Sequence, residues 1–390
     1  MKIIIVGTAY PFRGGLSAFN QRLAREFMHQ GHEVEIITFT LQYPAFLFPG
    51  KTQFSDEAAP ENLKINREIN SVHPLNWIKT GKMIRRKKPD LVVFAYWMSF
   101  FAPCFGTIAR MVRSPKTKCI ALIHNMIPHE PTILDKIFPR YFVSAMDGFT
   151  AMANAVVEDI NKFDRKSKPK IVYPHPIYDD YGKQISKEKA RKLLKLQENG
   201  RYLLFFGFIR RYKGLDLLLD AMADERIRAM NIRLLVAGEF YEEKAFYDKK
   251  IDLLNLQETV EFRSDFIPDE EVKNYFCAVD MIVQPYRSAT QSGVSQIAYH
   301  FDKPMLVTDV GGLAETIPNG KVGYVVDVNP AEIADAIVDF YENNRSETFI
   351  ENIKEEKKKY QWSGMVEAII ESRTKNQEPR FTVLDNQKNI

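Results

Sequence analysis

Three segments in the second half of the chain carry residue types suited to holding an anion. The strand-like run Tyr202-Leu-Leu-Phe-Phe-Gly207 leads into Phe208-Ile-Arg210-Arg211-Tyr-Lys213-Gly214 and then an apolar stretch with helical spacing. The second, Ser288-Ala-Thr290-Gln291-Ser292-Gly293-Val294-Ser295-Gln296, reads as the opening of another helix. The third, Thr308-Asp309-Val-Gly311-Gly312-Leu-Ala-Glu315, ends a further short apolar run. Each sets glycines, hydroxyls or cations after a strand and at an expected helix start. Free backbone N–H groups and the helix dipole favour negative charge at such places. Three of them together point to a ligand with at least two phosphates, and a nucleotide fits.

The elements that must position these residues follow from hydrophobic patterning. Strands are expected at 3–7, 34–39, 91–96, 119–123, 148–152 and 170–173, and again at 202–206, 232–237, 260–263, 281–284, 305–308 and 323–326. Helical stretches lie between them, such as Ser17–Gln30 with Gly31 as its stop. The rhythm is that of two doubly wound parallel α/β sheets, each Rossmann-like. The Pro-, Tyr- and Asp-rich run from Tyr173 to Asp180, with a charged helix to about Leu196, reads as the linker. Residues 1–175 then form an N-terminal domain and 176–360 a second, with a polar, loosely ordered tail at 375–390. Open α/β sheets bind ligands outside the carboxyl ends of their strands. Two such domains facing across a cleft suit a donor held by one and an acceptor held by the other.

A chain of 390 residues is too long for one ordinary core. Its charge is unevenly spread. Residues 1–175 carry 24 Lys and Arg against 14 Asp and Glu, and the remainder 30 against 36. A basic first half fits an anionic membrane surface or substrate. No nucleic-acid motif accompanies it. The helix-like stretch Leu75–Lys88 adds Trp77 and Ile78 to Lys79, Lys82, Arg85, Arg86, Lys87 and Lys88, a composition suited to anionic lipid. Cys104, Cys119 and Cys277 are far apart in apolar contexts, which predicts buried reduced thiols. Met1–Gly7 reads as a buried strand rather than a signal peptide. Leu91–Ala109 is 19 residues without a charge, long enough to span a bilayer. Its strand-like start and its Pro103 and Gly106 favour a buried strand followed by a buried helix. The expected location is cytoplasmic, peripheral on the inner face of the membrane.

Several motifs, taken in order, resemble one family. They are the glycine loop Pro11-Phe-Arg-Gly14-Gly15, the turn Gly31-His32-Glu-Val, Phe206-Gly207 through Lys213-Gly214-Leu-Asp216, Val236-Ala-Gly238-Glu239, and Lys303-Pro304 through Glu315. The chain resembles, almost end to end, the retaining glycosyltransferases of the GT-B fold, family 4 (glycosyl transferases group 1). The resemblance implies transfer of a sugar from a nucleotide sugar, UDP- or GDP-linked, to a glycan or lipid-linked acceptor, as in cell-surface polysaccharide or glycolipid synthesis. It implies that Arg210 and Lys213 bind the donor diphosphate and stabilise the leaving group. His124 stands at the position that contacts the donor sugar and acceptor region, with a purely structural histidine as the other reading. Gly14 and Gly15 would approach the phosphates, or form a plain turn. Gly207, Glu239, Ser288, Thr290, Gln291, Ser292, Gly293, Val294 and Gln296 fall on the donor side. The last helix, at about 361–374, would pack back on the first domain.

The chain departs from that family at one important place. Most members carry two glutamates separated by seven residues where this chain has Ser288 and Gln296. Gln296 can still hydrogen-bond a ribose diol, whereas Ser288 offers no carboxylate. A weak or inactive homologue that binds nucleotide sugar or scaffolds a glycan assembly complex is therefore the alternative. No Asp-x-Asp occurs, so neither a metal nor a cofactor is expected. Glu239 and Glu315 lack the pairing of a glycosidase. The first loop lacks the Gly-x-Gly-x-x-Gly fingerprint of a dinucleotide oxidoreductase.

Overall fold

Alternation along the strands decides which side each residue buries. Ile4 and Val6 of the run Ile3–Val6 join one apolar cluster, and Ile3 and Ile5 join another. A strand covered on both faces is what a parallel sheet between helical layers requires. The computed structural model describes residues 1–44, 53–55, 58–127, 134–289 and 292–374. The chain divides into two compact units, Met1–Pro174 with Trp362–Ile390, and His175–Gln361. The expected tail at 375–390 lies outside the described residues.

In the first unit the strands are β1 (Lys2–Val6), β2 (Glu33–Leu41), β3 (Ile65–Asn70), β4 (Leu91–Tyr96), β5 (Lys118–Ile123), β6 (Gly148–Ala151) and β7 (Lys170–Val172). They form one sheet in the order β3-β2-β1-β4-β5-β6-β7, every pair parallel. The helices Pro74–Arg86, Ala102–Val112 and Leu134–Ala145 lie together beside one face. Gly15–His29 and Trp362–Glu371 pack against the other.

The second unit has β8 (Arg201–Phe206), β9 (Ile232–Ala237), β10 (Val260–Arg263), β11 (Met281–Gln284), β12 (Met305–Thr308) and β13 (Gly323–Val326). Their order is β10-β9-β8-β11-β12-β13, again all parallel. Both sheets are doubly wound. Strand order reverses between β1 and β4 in the first and between β8 and β11 in the second, and the binding crevice of such a sheet opens there.

β3 is absent from the sequence expectation. Its Ile-Asn-Arg-Glu-Ile-Asn composition is polar because it is an edge strand, with Arg67 and Glu68 exposed and its register against β2 broken beside Phe39. The uncharged run from Leu91 becomes β4 and then the buried helix Ala102–Val112. Among the described residues no helix is long and apolar enough to cross a membrane.

One surface expectation changes. Trp77 and Ile78 are half-buried, and the Trp77 indole donates to the Asn70 carbonyl at 2.8 Å. An indole that finds a partner inside turns its ring inward. The apolar residues left outside are Val72 and Leu75, Leu75 being 72% exposed. Lys79, Lys82, Arg85 and Arg86 are exposed beside them. The three cysteines are free and buried, and burial pushes the Cys104 and Cys119 thiols far up, so they are inert.

Candidate active site

The loops after β8 and β11 meet at the reversal point of the second sheet. Gly214 starts the helix Leu215–Met222 with φ 69°, and a side chain there would collide with the Pro285 carbonyl. The Arg287 amide donates to the Tyr212 carbonyl at 2.7 Å, tying the loops together again. The first and second anion-binding segments therefore share one crevice.

Four arginine and lysine side chains surround it, and they differ in how they are satisfied. Arg287 holds Asp216 in a two-pronged pair, both contacts 2.7 Å. Arg211 is exposed, with its guanidinium over the Phe246 ring. Arg210 lies 4.8 Å from the centre of the Tyr241 ring, and Lys213 5.6 Å from that of Tyr286. Neither Arg210 nor Lys213 pairs with a carboxylate among the described residues. Burial first, and the Arg210 charge second, push the Lys213 ammonium down to about 8. Two adjacent cations without anions destabilise one another, and an anionic ligand relieves both.

The surrounding backbone is shaped for close approach. Gly207 has φ 90°, and an added Cβ would sit 3.2 Å from Lys213 Nζ. Beyond the strand ends, Ile209 still bridges Phe240, and the Ile209 amide donates to the Glu239 carbonyl at 2.8 Å. That contact holds Glu239, which is half-buried, beside the Gly207 loop.

The helix Gly293–His300 follows β11. Ser292 caps it, its hydroxyl accepting from the Val294 amide at 3.2 Å, with Tyr286 Oη 3.4 Å from the same oxygen. Val294 lies 3.9 Å from where a Gly207 side chain would begin. Ser288 is half-buried in the preceding loop. Gln296 is 1% exposed, and its Oε1 has no hydrogen-bond partner among the described residues. Thr290 and Gln291 lie outside the described residues.

The third segment departs from expectation. After β12 the chain makes only a single 3-10 turn, Ala314–Thr316, instead of an α-helix. Ile317 is extended because Pro318 follows it, and the residue before a proline is driven out of the helical region. Two helix starts, not three, serve the crevice.

In the first unit, Gly14 has φ 108° and ψ 166° and precedes the helix Gly15–His29 without a side-chain cap. Both glycines are exposed. His124 directly follows β5, its amide donating to the Tyr96 carbonyl at 2.8 Å. Its ring meets Phe19 edge-on at 4.8 Å, so the first helix and the end of β5 are joined. His129 and Glu130, further candidates in the loop after His124, lie outside the described residues. His175 is buried, with Nδ1 2.7 Å from the Pro176 carbonyl, and burial lowers its pKa to about 4. It is a structural residue. Among the described residues no group of three or more His, Cys, Asp or Glu is placed to hold a metal ion.

Sequence reasoning missed three aromatics of the second unit. Tyr241 and Tyr286 lie against Arg210 and Lys213, and Tyr178 covers Gly293. Only Tyr286 had a usable signal, its place just after β11.

Two Rossmann-like units, one with two cations and a capped helix start at its switch point, have the architecture of a GT-B glycosyltransferase. Residues 186–357 match the family described as Glycosyl transferases group 1, and residues 13–178 that described as Glycosyltransferase Family 4. The chain belongs to this family and is an enzyme of the glycosyltransferase class. It is 24% identical to an uncharacterized glycosyltransferase of Methanocaldococcus jannaschii, over 95% of this chain and 97% of that one. It is also 24% identical to a D-inositol 3-phosphate glycosyltransferase of Corynebacterium urealyticum, over 72% and 70%. A lipopolysaccharide 1,2-N-acetylglucosaminetransferase of Salmonella typhimurium is 27% identical over 54% of each. Among solved structures, Anabaena HepE in complex with UDP superposes with a TM-score of 0.73 at 17% identity, over 95% of this chain and 99% of that one.

Proposed function

We propose that the enzyme moves a sugar from a nucleoside-diphosphate sugar to a glycan or lipid-linked acceptor, with retention at the anomeric carbon and without a metal ion. The observation that carries this reading is the pair Arg210 and Lys213. They lack carboxylate partners among the described residues and stand beside the Ser292-capped helix start at the switch point of the second sheet. In the reaction the anomeric C–O bond to phosphate breaks and its electron pair leaves with the diphosphate. The acceptor hydroxyl gives its proton to the departing phosphate oxygen as the new C–O bond forms. Charge on the departing phosphate grows most in the transition state, and fixed cations there act where they count. Gln296 Oε1, which lacks a donor among the described residues, is set to accept from a ribose hydroxyl.

The donor is taken to be UDP- or GDP-linked. Support for UDP comes from relatives of the same fold, since Anabaena HepE has been solved with UDP and with UDP-glucose. A thermal-shift screen against UDP-, GDP-, ADP- and dTDP-sugars identifies the donor, because a ligand of the folded form raises its apparent stability. No shift with any of them sinks the reading. Transfer that EDTA abolishes and Mg²⁺ or Mn²⁺ restores would contradict metal independence. The short, neutral Ser288 favours a second reading, a weak or silent homologue. Donor that binds but is neither transferred nor hydrolysed would establish it.

The location that goes with this function is the cytoplasmic face of a membrane, met through the first unit. Val72 and Leu75 lie exposed at the start of a helix whose outer positions are Lys79, Lys82, Arg85 and Arg86. Apolar residues beside lysine and arginine suit an anionic bilayer. Sedimentation with anionic vesicles at low salt should carry the protein down, and Leu75→Ser with Lys79→Glu should release it. Equal partition to neutral vesicles would remove the idea.

A further inference from the structure

The segment that brings the chain into the second unit runs the length of the donor-side helix. Tyr178 lies against its first residue, where a Cβ on Gly293 would fall 2.8 Å from the Tyr178 ring. At the other end, His300 Nε2 is 2.8 Å from the Gly182 carbonyl, and Gln184 donates to the Phe301 carbonyl at 3.4 Å. The Ile177 amide donates to the Tyr360 carbonyl at 3.0 Å, so the residues flanking both chain crossings are pinned together. Tyr360 then packs on Tyr299 of the same helix, ring centres 4.8 Å apart, and both hydroxyls donate to the Thr316 carbonyl.

A glycine at the first position of a phosphate-facing helix has an obvious explanation, close approach of the ligand to the backbone. Here the space a side chain would fill is already taken by Tyr178. Ring contacts fix Tyr178 in turn, with His175 at 4.9 Å and Tyr181 at 6.2 Å. A bulky neighbour held on both sides does not yield easily to an added methyl.

We propose that Tyr178 is a positioning residue for the donor diphosphate, setting the start of the helix Gly293–His300, and that Gly293 is glycine to admit its ring. The inference rests on the donor reading above and adds to it a residue outside the crevice. Its consequence is coupling. Whatever moves the chain at residues 174–178 moves the N–H groups of Ser292, Gly293 and Val294.

Four proteins test this: wild type, Gly293→Ala, Tyr178→Ala and the double variant, with Tyr178→Phe as the conservative control. UDP and GDP affinity is read by calorimetry and thermal stability by calorimetric scan. Gly293→Ala is expected to weaken nucleotide binding about tenfold in the wild-type background and less than twofold once Tyr178 is alanine. Tyr178→Ala should raise the donor KM and leave the acceptor KM unchanged, and Tyr178→Phe should behave as wild type. If Gly293→Ala is equally harmful in both backgrounds, Gly293 serves the ligand directly and the proposal fails. Coupling seen in thermal stability but not in affinity shows packing alone and also overturns it. Wild-type protein that binds neither nucleotide removes the donor reading itself, and the stability cycle tells that failure from the others.

Discussion

Lys213 should make donor binding depend on pH in a way that no other residue of the crevice reproduces. Burial and Arg210 bring its ammonium down to about 8, against an ordinary lysine at about 10.4. Keeping it charged at neutral pH therefore costs the free protein about 3 kcal/mol. A diphosphate against that nitrogen removes the penalty, so the bound form holds the proton to much higher pH. Only the protonated fraction is competent, and apparent affinity scales with that fraction. UDP should bind about tenfold more weakly at pH 9 than at pH 7. The phosphates of the ligand do not confuse the measurement, since the terminal one finishes ionising near pH 6. Calorimetry at pH 8.5 in buffers of different ionisation enthalpy should show net uptake of a proton. Lys213→Arg should flatten the profile, because a guanidinium stays charged throughout. A wild-type affinity constant from pH 7 to 9.5, or a slope that persists in Lys213→Arg, would refute the reasoning.

Other consequences are as open to measurement. Arg210→Ala should lower kcat/KM about 100- to 1000-fold, as for loss of a transition-state anion contact, with the thermal midpoint unchanged; near-wild-type turnover would remove Arg210 from the site. His175, buried and lowered to about 4, binds its proton less well folded than unfolded. Its contribution is complete above pH 6.5 and is lost as pH falls towards 4, about 3 kcal/mol in urea titrations, and a His175→Gln variant should lack that loss. Trp362→Ala should destabilise the first unit by about 3–5 kcal/mol, because Trp362 is buried against Phe19 with the Arg22 guanidinium 5.0 Å over its ring. A cost under about 1 kcal/mol would mean that the terminal helix only rests on that surface.

What the chain discloses before folding depends on how local each signal is. Central strands such as Leu91–Tyr96 announce themselves because both faces are buried and every residue is apolar. β3 does not, since an edge strand with arginine and glutamate outward looks like a loop. The Ser292 cap and the glycine after it were legible because capping is written in adjacent residues. The false helix start after β12 shows the limit of such motifs, where Pro318, just downstream, overrides the glycines. Trp77 misled for a related reason, since its destination was decided by the carbonyl of Asn70 and not by the lysines around it. Tyr178 had no chance of being read. It meets Gly293 across more than a hundred residues of chain, and no local pattern records such a contact.

The last helix of the first unit has a consequence during synthesis. Ile3, Ile5, Phe19 and Leu23 share their apolar cluster with Trp362, Met365, Val366 and Ile369. The ribosome therefore delivers one side of this layer at the start and the other at the end, with all of His175–Gln361 in between. Trp362 follows Leu23 by 339 residues, so at about 5–20 residues per second the interval is on the order of 20–70 s. Throughout it the N-terminal segment presents an uncovered apolar face, while the middle unit has everything it needs to fold. Order of emergence and order of completion are thus reversed. Residues Ile3 to Leu23 emerge early and are sealed late, and chaperones that shield nascent apolar surface have a long task on that segment.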